Sequence, residues 1–205
     1  MSIHQPLSPE LIIAAYRGGY FPMPDPETDE ILWYNPDPRT IIPLEGFHKS
    51  RSLTRTAKKR VFEITFDQDF IGVIQGCASR EPTWISDEIK AAYVELFKLG
   101  FCHSVEVRGE GGRLVGGLYG ISQGAVFNAE SMFSREKDAS KMALWALTER
   151  MKQSGMLLLE VQFMTEHLRS LGAIEIPKDE YLRQLGVALT HPIRFAPPQG
   201  LYNLL

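Results

Sequence analysis

The spacing of apolar residues opens this chain with a short helix. Ser8 is placed to cap it, Pro9 suits the first helical position, residues 11–16 supply its apolar turns, and Gly18 with Gly19 ends it. Pro22, Pro24, Pro26, Pro36 and Pro38 then interrupt every regular pattern. Phe21, Trp33 and Tyr34 make the same stretch too aromatic for a disordered linker, so an ordered irregular segment is expected there. Farther on, residues 40–44 and 61–66 read as strands and 67–77 as a short helix. Ser86 starts a helix that puts Ile89, Tyr93, Leu96 and Phe97 on one face and stops at Gly100. Three strand-like runs, 103–108, 113–121 and 125–132, are separated by glycine-rich turns and predict an antiparallel meander. An amphipathic helix over 138–152, a buried strand over 156–162, a helix over 165–171 ended by Gly172, and a last helix over 177–185 stopped by Gly186 complete the pattern. Hairpins followed by helix, strand and helix predict an α+β, acyltransferase-like sheet.

Composition narrows the class. With 205 residues of which 44% are hydrophobic, the chain can bury a substantial core. Cys77 and Cys102 match no metal-ligand spacing, and a chain of this size needs no disulfide, which points to a reducing compartment. There is neither a signal-peptide pattern at the N-terminus nor an apolar run of bilayer length, so a cytoplasmic, unanchored protein is expected. The formal charge of −3 does not by itself predict a nucleic-acid partner. Its distribution says more: residues 48–60 carry six cations, Lys49, Arg51, Arg55, Lys58, Lys59 and Arg60, and no acid. An isolated basic run is more often a solvated face, although one with interleaved hydroxyls suits a phosphate backbone.

Two acidic positions sit in unusually apolar company. In a strand, Glu160 and Gln162 are two apart and point to one face. Either both reach water at a strand end, or burial places an acid and an amide side by side, where the carboxyl becomes useful for handling protons. Glu130 lies between Phe127 and the Met132-Phe133 pair and wants a cation or a donor. Arg135 is the favoured partner, and the ammonium group of a substrate is the alternative. Tyr16, Trp33, Tyr34, Trp84 and Tyr93 are candidates for stacking on a nucleic-acid end, with burial in the core the simpler reading for Tyr93.

In order along the chain stand Ala15-Tyr16-Arg17-Gly18-Gly19-Tyr20-Phe21-Pro22, Trp33-Tyr34-Asn35-Pro36-Asp37-Pro38-Arg39, His48-Lys49-Ser50-Arg51-Ser52 and Gly76-Cys77-Ala78. After them come Thr83-Trp84-Ile85, His103-Ser104-Val105-Glu106, Gly116-Gly117-Leu118-Tyr119-Gly120, Glu130-Ser131-Met132-Phe133-Ser134-Arg135 and Ser170-Leu171-Gly172-Ala173. Through these stretches the chain resembles the leucyl/phenylalanyl-tRNA-protein transferase family over nearly its whole length. So many ordered segments are far more specific than one short motif. The resemblance implies a small N-terminal α/β domain over residues 1–37 and a catalytic domain related to the GNAT acyltransferases over 38–205. It implies transfer of Leu, Phe and less readily Met from aminoacyl-tRNA to proteins that begin with Arg or Lys, marking them for degradation, by a monomer that uses neither a metal nor coenzyme A. Competing expectations are an acyl-CoA N-acyltransferase on the same fold and a noncatalytic module that binds tRNA ends.

Position by position, the resemblance casts Glu160 and Gln162 as the catalytic acid and amide. It places Glu130, Leu118, Phe127, Met132 and Phe133 around the aminoacyl side chain. It puts Tyr16, Met23, Trp84 and Tyr93 beside the terminal adenosine, and Lys49, Arg51, Arg55, Lys58, Lys59 and Arg60 along the acceptor-stem phosphates. Two of these positions depart from the family pattern: Glu160 stands where an aspartate is usual, and Met23 where a tryptophan is common. The first helix also begins within ten residues of the start, so a small N-terminal domain is expected. An aminoacyl ester is already activated, so the chemistry asks for no covalent nucleophile. It asks for an oriented amine, a place for its proton, and stabilisation of the carbonyl oxygen.

Overall fold

The computed structural model describes residues 7–204 except 26, 29, 80–82 and 84. Helix α1 (Pro9–Arg17) is capped as the sequence predicts, Ser8 Oγ accepting from the Leu11 N–H at 3.2 Å. The proline-broken stretch after it is more regular than expected. Strand β1 (Phe21–Pro24) pairs antiparallel with β2 (Ile31–Tyr34) in a two-stranded ribbon. Its prolines, Pro22 and Pro24, are two apart, so the missing donors fall on one side of a strand that needs only its other side for pairing.

The remaining strands are β3 (Arg39–Ile41), β4 (Glu63–Phe66), β5 (Cys102–Arg108), β6 (Leu114–Gln123), β7 (Val126–Ser134), β8 (Leu158–Gln162) and β9 (Ile174–Ile176). They form one sheet in the order β4-β5-β6-β7-β8-β3-β9. The expected meander is β5-β6-β7. Helix α5 (Ala139–Gln153) then crosses over, and β8 returns parallel to β7, the one parallel pairing in the sheet. That pairing runs from Val126↔Leu158 to Asn128↔Glu160 and stops, although β7 continues to Ser134. The strands part beyond it, and the functional cleft opens there. The α+β architecture is therefore the one the sequence predicts.

Three local expectations fail for reasons of packing. The helix expected to end at Gly186 is α7 (Lys178–Thr190), which runs through that glycine because Leu185 and Ala188 on either side are 1% and 0% exposed. An interior glycine costs a helix about 1 kcal/mol, less than the burial of one leucine returns. Helix α5 is buried nearly all round rather than amphipathic: Met142 to Leu147 are all at most 3% exposed. Strand β3 is only three residues long, and its neighbours β8 and β9 are distant in sequence, a pairing that local periodicity does not reveal.

Successive β6 residues serve opposite faces, Leu118 joining the core around α5 and Tyr119 the core under α3 (Phe70–Ala78) and α4 (Asp87–Lys98). Ile12, Tyr16 and Phe21 belong to that second core with Val73, Ile74, Ile89 and Tyr93. The N-terminal helix and ribbon thus rest on α3, α4 and the sheet.

Candidate active site

Where β7 and β8 part, two buried glutamates are held in different ways. Glu130 is 6% exposed, and its Oε2 accepts from the Tyr93 hydroxyl at 3.2 Å and from Gln162 Nε2 at 3.1 Å. The Tyr16 hydroxyl lies 3.0 Å from that of Tyr93, extending the chain of polar groups. The other oxygen, Oε1, is buried without a hydrogen-bond partner. Burial pushes the Glu130 carboxyl up to about 8; hydrogen bonds from the tyrosines and Gln162 pull against that, and the charge of Glu160 adds to it. At pH 7 it is mostly protonated.

The expected Glu130–Arg135 pair does not form. Arg135 Nη1 donates to the Leu114 carbonyl at 3.1 Å, and its guanidinium lies 5.1 Å from the Phe133 ring centroid. Glu130 stands at the register shift of β7, where its carboxyl meets Tyr93 and Gln162, and Arg135 lies past the strand's end, about 16 Å farther along an extended run and out of reach.

Glu160 is fully buried and ion-paired: Arg39 Nη2 donates to its Oε1 at 2.8 Å, and the Gln162 backbone N–H donates to the same oxygen at 2.6 Å. Burial pushes this carboxyl up, and the guanidinium pulls it the other way. Gln162 has φ of 60°, a left-handed conformation that breaks the strand's alternation. Gln162 turns into the cleft and reaches Glu130, while Glu160 stays beneath it.

The cleft has a volume of about 660 Å³. Leu118, Ala129, Met132, Phe133, Val161 and Leu168 form its apolar walls, with Phe163 beside them; Glu130 and Gln162 mark its polar end, and Ser134, Ser140, Thr165 and His167 contribute further polar groups. Of the five expected pocket residues, Phe127 is absent. It lies in the paired half of β7 opposite Leu159, is fully buried, and packs its ring 5.3 Å from that of Phe195. Gly76 on α3 makes room for one wall, since a Cβ there would come within 2.6 Å of the Phe133 ring.

The residues expected beside an adenosine are scattered. Tyr16 and Tyr93 are 2% and 0% exposed, so their rings belong to the core and only their hydroxyls serve the site. Met23 sits on β1 opposite Leu32, outside the cleft lining. Trp84 lies outside the described residues.

Helix α2 (Arg51–Lys58), capped by Ser50, carries the basic run, and Arg51, Arg55, Lys58, Lys59 and Arg60 are all exposed. Lys49 is instead engaged, 2.7 Å from Glu149 and 5.0 Å from the Trp145 ring centroid. Thr56 donates to Asp138 at 2.9 Å, which ties α2 to the start of α5, two residues before the cleft's Ser140. Sequence reasoning missed Arg39, Val161, Thr165, His167 and Leu168. For Arg39 a signal existed, an arginine at the head of an apolar strand within the Trp33 to Arg39 stretch.

Among the described residues no group of three His, Cys, Asp or Glu side chains could hold a metal ion, and no helix is long and apolar enough to cross a membrane. An apolar hollow with an acid and an amide at one end has the form of a small-group binding site, apolar walls with a few convergent polar groups. Residues 41–186 match the model of the leucyl/phenylalanyl-tRNA protein transferase family, and residues 5–37 match the model of that family's N-terminal domain. The leucyl/phenylalanyl-tRNA–protein transferase of Ruegeria pomeroyi is 47% identical over 201 residues, covering 95% of each chain. That of Cereibacter sphaeroides is 50% identical over 193 residues, 94% of this chain and 90% of its own. Among solved structures, L-PGS from Bacillus licheniformis is similar at TM-score 0.42 and 12% identity, over 78% of this chain and 55% of its own. The chain belongs to the leucyl/phenylalanyl-tRNA-protein transferase family and is an aminoacyltransferase.

Proposed function

We propose that this protein moves Leu, Phe and less readily Met from aminoacyl-tRNA onto the N-terminal Arg or Lys of cytoplasmic acceptor proteins, marking them for degradation. The observation that carries the reading is the unpartnered Oε1 of Glu130 at the end of an apolar cleft lined by Met132, Phe133 and Leu118. Unbranched and aromatic walls accept several large apolar side chains, and one methylene discriminates only modestly. The donor's α-amino group then meets Glu130, whose carboxyl ionises as an ammonium arrives. Exposed cations on α2, tethered near the cleft through Thr56 and Asp138, suit the acceptor-stem phosphates. The helix and ribbon before residue 38 form the small N-terminal domain, and the remainder is the catalytic domain.

In this scheme the acceptor's α-amine attacks the ester carbonyl, the new C–N bond forms, the C–O bond to the ribose breaks, and the amine's proton ends on the departing ribose hydroxyl. The amine has a reference pKa near 8, so about a tenth is neutral at pH 7 and a strong base is unnecessary. Because Gln162 Nε2 donates to Glu130, its carbonyl oxygen is left to accept from the attacking amine. Glu160, paired with Arg39 beneath, acts through Gln162 rather than by touching the substrate.

Labelled Phe-tRNA incubated with a peptide beginning in Arg tests the proposal. Label should enter the peptide without coenzyme A, and Gln162→Ala should slow entry by about a hundredfold while tRNA binding is kept. Retention of tRNA without transfer would instead identify a binding module, and a requirement for coenzyme A an acyl-CoA enzyme.

A further inference from the structure

Arg39 is a fully buried cation shared by five parts of the fold. Its side chain is 1% exposed. Nη2 donates to Glu160 Oε1 at 2.8 Å, and Nη1 donates to the Gly19 carbonyl at 2.6 Å and lies 3.5 Å from Asn35 Oδ1. Its guanidinium carbon sits 4.2 Å from the ring centroid of Tyr181 on α7 and 5.1 Å from that of Phe21 on β1. The oxygen it holds is the one that accepts the Gln162 N–H at 2.6 Å, at the left-handed residue whose amide reaches Glu130. One unbroken series of hydrogen bonds thus runs from the turn after α1, through Arg39 and Glu160, to the amide in the cleft.

We propose that Arg39 is a positioning residue for transfer: it keeps Glu160 charged and fixed, so that Glu160 clamps the Gln162 backbone and aims its carboxamide at the reacting amine. The inference rests on the transferase reading above. It makes docking of the N-terminal helix and ribbon a condition for catalysis, since Gly19, Phe21 and Asn35 orient the guanidinium. A guanidinium cannot shed its proton and its planar fork fixes direction, whereas an ammonium supplies charge alone. The charged and titratable groups facing Glu160 are Arg39 on β3, Glu130 on β7 and Tyr181 on α7, with the Gln162 N–H from its own strand. Arg39 is the sole cation among them. Without it Glu160 takes up a proton at higher pH, and the neutral acid holds the Gln162 N–H less tightly.

The experiment measures kcat and KM for Phe transfer across pH 5.5–9 in the wild type, Arg39→Lys, Arg39→Met, Glu160→Gln and the Arg39→Met/Glu160→Gln double variant. Thermal unfolding identifies the variants that are folded at the assay temperature. Wild-type transfer tests the underlying reading; its absence would sink that reading, whatever the variants do. With transfer present, Arg39→Met should lower kcat by about tenfold to a hundredfold with KM for tRNA little changed, and move the acid limb up by about one pH unit or more. Arg39→Lys should keep the acid limb and lose part of kcat. In the Glu160→Gln background, Arg39→Met should add little and shift nothing, because the two act as one unit. Additive losses in kcat, or a wild-type acid limb in folded Arg39→Met, would overturn the assignment and leave Arg39 a packing residue. If Arg39→Met does not fold, Arg39→Lys and Glu160→Gln decide: losses that add in their double variant overturn the proposal, and losses that do not add support it.

Discussion

Glu160 and Glu130 are buried on adjacent strands and linked through a single glutamine, yet their surroundings differ in kind. Glu160 lies on the paired part of β8 against a guanidinium that cannot be neutralised. Glu130 lies past the point where the strands part, where the Tyr93 hydroxyl and the Gln162 amide donate to one oxygen; each glutamate keeps its other oxygen buried without a hydrogen-bond partner. A carboxylate built into the sheet has a cation of its own. A carboxyl at the wall of a cleft lacks one and is held up to about 8 by burial. The contrast separates the group that holds the site in shape from the group poised to receive a cationic substrate.

The largest effect expected from breaking this contrast is on stability. Glu160→Ala strands Arg39 in the core without a counter-charge, which should cost about 3–5 kcal/mol in denaturant unfolding, whereas Glu130→Ala removes no ion pair and should cost less. Equal losses for the two variants would show that the pair with Arg39 is not what distinguishes them.

A smaller effect follows from pH. Folding raises the Glu130 carboxyl from 4.5 to about 8. Below the lower value both states are protonated and the group adds no pH dependence. Between the two values the unfolded chain releases its proton while the folded protein keeps it, so stability falls as pH rises through this window and levels off above it. Glu130→Gln cannot ionise and should lose that fall, on the order of a few kcal/mol between pH 5 and 9. Urea unfolding of both proteins at pH 5, 7 and 9 checks the sign. Parallel pH dependences would mean that Glu130 is no harder to ionise in the folded protein than in the unfolded chain.

The sequence made some of this legible and hid the rest for identifiable reasons. The meander and the caps at Ser8 and Ser86 follow from local periodicity and capping chemistry, and all are present. Glu130, Leu118, Met132 and Phe133, four of the five residues expected around the aminoacyl side chain, line the cleft. Phe127 lies outside the cleft lining because where β7 and β8 part is set by pairing between strands, which period-2 patterning does not record. The left-handed backbone at Gln162, where the Glu160 carboxylate accepts its N–H, is signalled by no residue preference. The tyrosines are legible as part of the site but not by their working surface, since spacing along a helix fixes a face and leaves open whether a hydroxyl or a ring does the work. Arg39 is hidden because its partner is 121 positions away in sequence.

The smallest expected change concerns the basic helix, where the comparison is between engaged and unengaged cations. Lys49 is engaged by Glu149 and the Trp145 ring, so part of its charge is already answered within the protein. Lys58, Lys59 and Arg60 are exposed at the end of α2, where the helix dipole favours cations and no acid competes within the run. If they meet acceptor-stem phosphates, neutralising all three should flatten the dependence of log tRNA affinity on log salt by about 0.7 to 0.9 for each phosphate that no longer faces a cation. Lys49→Ala should change the slope by less than any one of them. Because counterion release is independent of donor identity, the change should be the same for Leu-tRNA and Phe-tRNA, and kcat at saturating tRNA should stay within about twofold. An unchanged slope in the triple variant would make the run a solvated face and require the tRNA to approach the cleft from another side.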